Sequence, residues 1–215
     1  GTLADRFGRT RTMQTAALLF LVSSIGQALP FGVWDLTAWR TLAGVAIGLA
    51  SVMGPAYIAE VAPPAYRGRL GSFQQLAIVL GIAASQLVNY VITRLAGGEV
   101  RDRLLGLEAW QWMLGVCAIP AAAYLVFATV IPESPRWLVA VHRDREAGEV
   151  LRKVEGERVD VEFRLAEIHA VLRSARRPTL RDLRGRLGLL PIVWIGIGLS
   201  VFQQFVGINV IFYYS

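Results

Sequence analysis

Apolar residues are concentrated in five long stretches, and short segments rich in charge, glycine and proline separate them. A run of roughly 20 apolar residues is long enough to cross the hydrocarbon core of a bilayer as an α-helix. The pattern therefore predicts an all-α fold, a polytopic membrane helix bundle in which residues 13–131 form four transmembrane helices and residues 188–215 form another. The five predicted spans are 13–29, 37–59, 71–91, 110–131 and 188–215.

The stretch between the fourth and fifth spans, residues 132–187, is charged but keeps a regular apolar pattern. In two places its apolar residues recur every three or four positions, with charged residues between them. Such stripes are typical of amphipathic helices that lie on a surface. We predict short helices at 144–154 and 162–173, within a cytoplasmic helical linker domain.

The distribution of charge predicts the topology. The chain carries 22 Lys and Arg residues against 16 Asp and Glu, a formal net charge of +6. Most basic residues fall in the segments 1–12, 60–70 and 132–187. The other linkers, which alternate with these segments along the chain, carry little net charge. This alternation follows the positive-inside rule and argues against a nucleic-acid partner. It places the three basic segments in the cytoplasm, the first of them as a loop, in a multi-pass membrane protein.

Composition supports the membrane class and excludes several kinds of site. Hydrophobic residues make up 54% of the chain, and the mean hydropathy of +0.48 is high for a soluble globular protein. The single cysteine can form no disulfide within the chain, and no ligand cluster surrounds the two histidines, so we expect no metal site. The sequence also lacks the His-Glu-x-x-His spacing, the serine elbow and the phosphate-binding Gly-Lys-Ser/Thr loop. We therefore expect no enzyme activity and no catalytic residues.

The last span is unusual in its polar residues. Gln203, Gln204 and Asn209 lie within seven positions, and Tyr213 and Tyr214 follow them. A carboxamide in hydrocarbon needs partners, because leaving it unpaired costs on the order of several kcal/mol. The partners are either neighbouring helices, which such residues often join, or the hydroxyl groups of a substrate. Three of these residues close together favour a binding surface.

The third span carries a second polar stripe. Its members, spaced three or four residues apart, are Gln75, Ile78, Ile82, Gln86 and Asn89. Positions at this spacing share one face of a helix. A membrane helix turns such a face towards the interior of the bundle or an aqueous cavity.

Arg40 lies near the outer end of the second span. An arginine near the interface can extend its guanidinium to water, so a purely structural role is one interpretation. A buried cation paired with a carboxylate on a neighbouring helix is the other. The residues alone leave both open.

Several motifs, taken together in this order and spacing, resemble the sugar-porter branch of the major facilitator superfamily. They are residues 1–11, Glu60 with the Arg67-Gly68 turn, and residues 132–138, 203–209 and 212–215. The resemblance implies two six-helix halves joined by a cytoplasmic helical segment. This chain is then a partial major-facilitator fold that begins between helices two and three and ends at helix seven. The missing helices of a full-length chain are expected as its partners.

The same resemblance implies roles for individual residues. The implied substrate-binding residues are Gln75, Ile78, Ile82, Gln203, Gln204, Asn209 and Tyr213. Tyr213 and Tyr214 match the outer gate, and Arg40 matches an arginine of the proton-coupling machinery. The implied members of a cytoplasmic salt-bridge network, which latches the halves in the outward-facing state, are Arg9, Glu60, Arg67, Glu133 and Arg136.

The activity implied by this resemblance is transport of a monosaccharide or related polyol by alternating access, with the plasma membrane as the expected location. The expected partners are the sugar and the lipid bilayer, and no cofactor is expected beyond a co-transported proton. Proton coupling stays open, because Cys117 stands where some proton-coupled members have a glutamate. Gln111 also replaces an arginine often found at the start of that helix. The alternative is a transport-inactive sugar sensor of the same fold.

Overall fold

A computed structural model describes residues 2–156, 160–174, 184–185, 188–189 and 191–205. The chain divides into two compact units, Gly1–Ala170 and Val171–Ser215. The fold is mostly helical, as the apolar pattern predicts. The helices of the described residues are α1 (Thr2–Phe7), α2 (Arg9–Ala28), α3 (Val33–Val61), α4 (Pro64–Ala96), α5 (Ala109–Gly115), α6 (Ala118–Val130), α7 (Pro135–Ala140), α8 (Asp144–Glu155), α9 (Val161–Ser174) and α10 (Pro191–Phe205).

Two small antiparallel hairpins accompany the helices, and the sequence pattern did not predict them. Their strands are β1 (Arg103–Leu104) with β2 (Leu107–Glu108), and β3 (Arg184–Gly185) with β4 (Gly188–Leu189). The β1–β2 hairpin turns at Leu105 and Gly106, whose φ angles of 51° and 91° suit a tight two-residue connection. The Trp112 indole N–H donates to the Leu104 carbonyl at 2.8 Å and holds the hairpin against α5.

The segment 1–12, predicted to be a loop, is instead largely helical. It contains α1 and the first turn of α2, which are separated only by Gly8 at a φ of +96°. A glycine adopts this conformation without the steric penalty of a side chain. The loop prediction is wrong in local structure because a single residue redirects the chain and the rest stays helical.

Helix α2 is central to the first unit, where it contacts α1, α3, α5 and α6. Ala16 and Ala17 on α2 are almost fully buried, so neighbouring backbones approach closely. At Gly26 the indole of Trp39 from α3 occupies the space that a β-carbon would need. Small residues on α2 therefore determine how close its neighbours lie.

The predicted span 110–131 is divided into α5 and α6 by a turn at residues 116–117. Pro120 has no backbone N–H, so it cannot donate to the Val116 carbonyl four residues earlier. The N–H of Ile119 donates to that carbonyl instead, at 3.0 Å. The interruption thus begins one turn before the proline that causes it.

Three helices of the described residues are long and apolar enough to cross a membrane: Val33–Val61, Tyr66–Ala96 and Ala109–Val130, the last including the turn between α5 and α6. Large apolar side chains such as Leu87 and Phe127 are 64% and 68% exposed on them. Such surfaces are typical of helices that face lipid rather than water. The predicted span 13–29 lies in α2, which is not among the three. Part of the predicted span 188–215 lies outside the described residues. For these two reasons the spans 13–29 and 188–215 both stay predictions.

The helices α8 and α9 occupy the two stretches for which the charge pattern predicted amphipathic helices. Helix α8 buries Ala147, Gly148 and Leu151 and contacts α7. The Arg164 guanidinium on α9 donates to both carboxylate oxygens of Glu155, at 2.8 and 3.0 Å. Hydrogen bonds to Glu155 and Glu167 raise the pKa of Arg164 above its ordinary value, so it stays charged.

Candidate functional site

The site begins where α1 ends and α2 starts. Gly8 carries no side chain that could cap α2, and the helix has no side-chain cap of its own at this position. The first backbone N–H groups of a helix have no partners within the helix and carry a partial positive charge. They therefore need an acceptor from elsewhere in the chain.

Glu133 supplies that acceptor from the turn between α6 and α7. Its carboxylate accepts the N–H of Arg9 at 2.8 Å and, through both oxygens, the N–H of Thr10 at 3.2 Å. A β-carbon at Gly8 would collide with the same carboxylate. Gly8 is thus required both for its backbone angle and for the close approach of Glu133. Within the described residues Glu133 acts as a helix cap, and its implied membership of the cytoplasmic salt-bridge network stays a prediction.

Arg9 meets Glu60, at the end of α3, in a bidentate pair. Its Nε and Nη2 donate to the two Glu60 oxygens, both at 2.9 Å. The third guanidinium nitrogen donates to the Ala4 carbonyl at 2.9 Å and lies 3.0 Å from an Asp5 oxygen. The Arg9 and Glu60 side chains are only 15% and 12% exposed, so solvent screens their attraction less than that of a surface pair, and removing one partner would leave the other charge largely buried.

The electrostatics of Arg9 follow from this geometry. Burial lowers the pKa of the guanidinium, whereas Glu60 and Asp5 raise it, and the net direction is upward. Arg9 therefore stays charged at any physiological pH.

Ser134 also belongs to this arrangement. It lies in the 132–138 motif, and the sequence predicted no role for it. It is fully buried, and its hydroxyl donates to Glu60 at 2.7 Å. The same oxygen accepts the Trp137 N–H at 3.4 Å, as the N-cap of α7. A serine directly before a proline is a common helix start, and that signal could have identified the cap. We call Asp5, Arg9, Glu60, Glu133 and Ser134 the charged cluster.

Contacts from α2 and α3 fix the turn that carries Glu133. The Tyr57 hydroxyl donates to the Pro132 carbonyl at 2.8 Å, and the Thr10 hydroxyl donates to the same oxygen at 3.4 Å. The Gln14 side-chain amide donates to the Ala128 carbonyl, in the last turn of α6, at 2.9 Å. No motif in the sequence marked Tyr57 or Gln14 as part of the site.

Two residues implied for the network lie apart from the cluster. Arg67 and Arg136 are exposed, and neither has an ion-pair partner within the described residues. The Arg67 guanidinium donates to the Ala62 carbonyl, at 3.4 Å. The structure thus brings together Arg9, Glu60 and Glu133 and leaves two cations on the surface.

The implied substrate-binding residues on α4 lie along one face of an uninterrupted helix. Gln75 and Ile78 are exposed, and Ile82 is half-buried. The Gln75 carboxamide has no hydrogen-bond partner in the part of the chain that the structure describes. Arg40 on α3 is also exposed, without an ion pair to any described residue. Both interpretations of Arg40 therefore stay open.

The remaining implied site residues cannot be located. Gln203 and Gln204 lie in the last turns of α10, but their side chains are not described. Asn209, Tyr213 and Tyr214 lie outside the described residues. Their assigned roles stay predictions.

A pocket of about 380 Å³ opens beside the charged cluster, at the start of α2. Basic and acidic side chains both line it, among them Arg11, Lys153 and Glu149. No group of three or more potential ligands in the described ranges could hold a metal ion. The charged cluster itself is held by an ion pair and helix caps.

Comparisons with known proteins agree with this architecture. The sequence model of the family described as "Sugar (and other) transporter" matches residues 1–215. A glucose transport protein of Synechocystis sp. is 55% identical over all of this chain and 46% of its own length. The xylose transporter XylE from E. coli, in a partially occluded inward-open conformation, matches with a TM-score of 0.83 and 35% identity, over 100% of this chain and 48% of XylE.

A second structure of XylE, a proton:xylose symporter of the major facilitator superfamily, matches with a TM-score of 0.83 and 37% identity, over 100% of this chain and 47% of that one. That protein was bound to 6-bromo-6-deoxy-D-glucose. The present chain spans about half the length of the curated relatives it matches. These relatives are transporters rather than enzymes. The chain therefore belongs to the sugar transporter family of the major facilitator superfamily, and it is a membrane protein.

Proposed function

We propose that this chain is part of a transporter that moves a monosaccharide or related polyol across the plasma membrane by alternating access. The observation that carries the proposal is the match to a proton:xylose symporter with a bound glucose analogue, at a TM-score of 0.83 and 37% identity. Since the chain corresponds to about half of that protein, further helices supply the rest of the cavity and are its partners.

The exposed face of α4 forms one wall of the sugar site in this proposal. Gln75 presents a carboxamide that no described residue satisfies, with Ile78 49% exposed one turn away. A carboxamide donates and accepts hydrogen bonds at once, which suits the hydroxyl groups of a neutral sugar. The family resemblance also implies substrate contacts for Gln203, Gln204, Asn209 and Tyr213, and a gate formed by Tyr213 and Tyr214.

The charged cluster is the latch of the cytoplasmic side. Arg9, Glu60 and Glu133 hold α2, α3 and the start of α7 together as one body. Arg67 and Arg136 are exposed and free of ion pairs to described residues. Cations in this state are suited to pair with carboxylates of the opposite half in the outward-facing state and to release them when the cytoplasmic side opens.

Substrate binding is tested by equilibrium binding and counterflow in proteoliposomes that contain the complete transporter. Gln75→Ala removes the unpaired carboxamide, and we expect about a tenfold loss of glucose or xylose affinity. Gln74→Ala is the matched control, because that side chain lies against Gly54 on α3 instead. We expect the sugar affinity of the Gln74→Ala variant to stay within about twofold of the wild type.

The outcomes separate the proposal from its alternative. Equal affinities in both variants would remove α4 from the sugar site. Sugar binding without counterflow in the wild type would favour a transport-inactive sensor of the same fold.

Proton coupling through Arg40 is a separate part of the proposal. If Arg40 pairs with a proton-carrying carboxylate of a helix outside this chain, Arg40→Gln abolishes uphill accumulation but preserves counterflow. Uptake by the wild type that is insensitive to a protonophore would leave Arg40 a structural cation.

A further inference from the structure

Helix α6 ends two residues before Pro132, next to the charged cluster. Its C-cap, Ile131, has an extended backbone with ψ at 141°, and Pro132 follows. A residue before proline is biased away from the helical conformation, so the helix stops at this point. The last carbonyls of the helix then lack donors from the following turn, and Pro132 has no N–H to offer.

Gln14 supplies a donor to one of these carbonyls from another helix. Its side-chain amide, on the second turn of α2, donates to the Ala128 carbonyl at 2.9 Å across 114 positions of sequence. Ala128 itself is 1% exposed, so its surroundings hold little water. A buried carbonyl without a partner destabilises the folded state, and Gln14 removes that penalty.

The two segments therefore cap each other. Gln14 of α2 donates to the end of α6, and five residues after Ala128 the carboxylate of Glu133 accepts the first N–H groups of α2. Between these two contacts, the Pro132 carbonyl accepts the hydroxyls of Tyr57 and Thr10. Glu133 stands on a turn whose position depends on both helices.

We propose that Gln14 is a positioning residue, which holds the turn between α6 and α7 so that Glu133 stays at the N-terminus of α2. The amide donor of Gln14, rather than its bulk, does this. The effect on transport rests on the function proposed above, whereas the effect on the local structure does not.

The test compares three unbranched replacements in the complete transporter by hydrogen exchange and mass spectrometry. Gln14→Lys keeps a donor of similar reach, Gln14→Met keeps the volume without a donor, and Gln14→Glu places a carboxylate against the carbonyl. The readout is amide exchange in peptides covering residues 8–13 and 131–137. Thr15→Val is the control, because the exposed Thr15 hydroxyl bonds only to its own helix, at the Arg11 carbonyl.

We expect exchange in both peptides to rise about fivefold in Gln14→Met, the effect of one net hydrogen bond on an opening equilibrium. Gln14→Glu should raise it further, and Gln14→Lys and Thr15→Val should stay within about twofold of the wild type. Sugar affinity should be unchanged in Gln14→Met while turnover changes, because Gln14 is not part of the proposed sugar site and bonds the end of α6 instead.

Two results would overturn the proposal. If amide exchange in the Gln14→Met variant equals that of the wild type, the hydrogen-bond donor is unnecessary. If amide exchange rises as much in Gln14→Lys as in Gln14→Met, the bulk and shape of the side chain matter instead. Absence of sugar flux in the wild type would count against the proposed function alone, since the exchange pattern is measured independently of sugar.

Discussion

The charged cluster and the polar face of α4 both place polar side chains on membrane-protein helices, but they differ in what satisfies them. In the cluster, Arg9 uses all three guanidinium nitrogens, and Glu133 accepts three backbone N–H groups. On α4, Gln75 is exposed and has no partner among the described residues. The first region finds its partners among the described residues, whereas the Gln75 carboxamide is left with open hydrogen-bonding groups. The first should therefore govern stability and the second should govern binding.

The largest effect is expected when the 215-residue chain is tested for sugar transport without the rest of the transporter. We expect no saturable sugar flux when the purified chain is reconstituted in liposomes, because rocking of one bundle against another needs two bundles. The complete transporter in matched liposomes is the positive control. Saturable flux from the chain alone would mean that the α4 face finds its partners in copies of the same chain.

The next largest effect is expected at the Arg9–Glu60 pair. Glu60→Ala leaves a largely buried guanidinium without its bidentate partner and removes the acceptor of Ser134, so we expect a loss of about 3 kcal/mol in unfolding free energy. Thermal unfolding in detergent measures it. Glu162→Ala on α9, which removes an exposed carboxylate, is the control and should change stability by less than about 0.5 kcal/mol. Equal losses in both variants would show that the pair contributes no more than a surface charge.

Gly8→Ala tests the close approach of Glu133 to α2. The substitution adds a β-carbon at a φ of +96° and against the Glu133 carboxylate, so we expect a loss of roughly 1–3 kcal/mol. Gly32→Ala, at an extended backbone position with open space around it, is the matched control. A Gly8→Ala variant as stable as this control would contradict the double requirement for glycine.

The smallest stability effect is expected on α4. Gln75→Leu replaces an exposed carboxamide that no described residue bonds, so the unfolding free energy should change by less than about 0.5 kcal/mol while sugar affinity falls. The two measurements on one variant test the contrast between the regions. A large loss of stability would place Gln75 in a packed helix contact rather than in a ligand site.

Sequence reasoning located the polar residues of the site better than it located their partners. The motifs singled out Arg9, Glu60 and Glu133, and the structure brings these three together. The role of Glu133 as a helix cap was not predicted, because it depends on an acceptor 124 residues away from Arg9 in sequence. Tyr57 and Gln14 were missed for the same reason: each bonds a distant backbone carbonyl, and a carbonyl has no sequence signature.

The helical membrane class follows from the amino-acid sequence alone, because apolar length and charge distribution act locally along the chain. The sequence also marked the family, through motifs whose residues are close in sequence. The separation of α5 from α6 also follows locally, from Pro120. Tertiary contacts decide that residues 1–12 are helical around Gly8 and that Arg67 and Arg136 stay on the surface. Those outcomes depend on which backbone groups find partners across the bundle, and partners are brought together by packing rather than by sequence order.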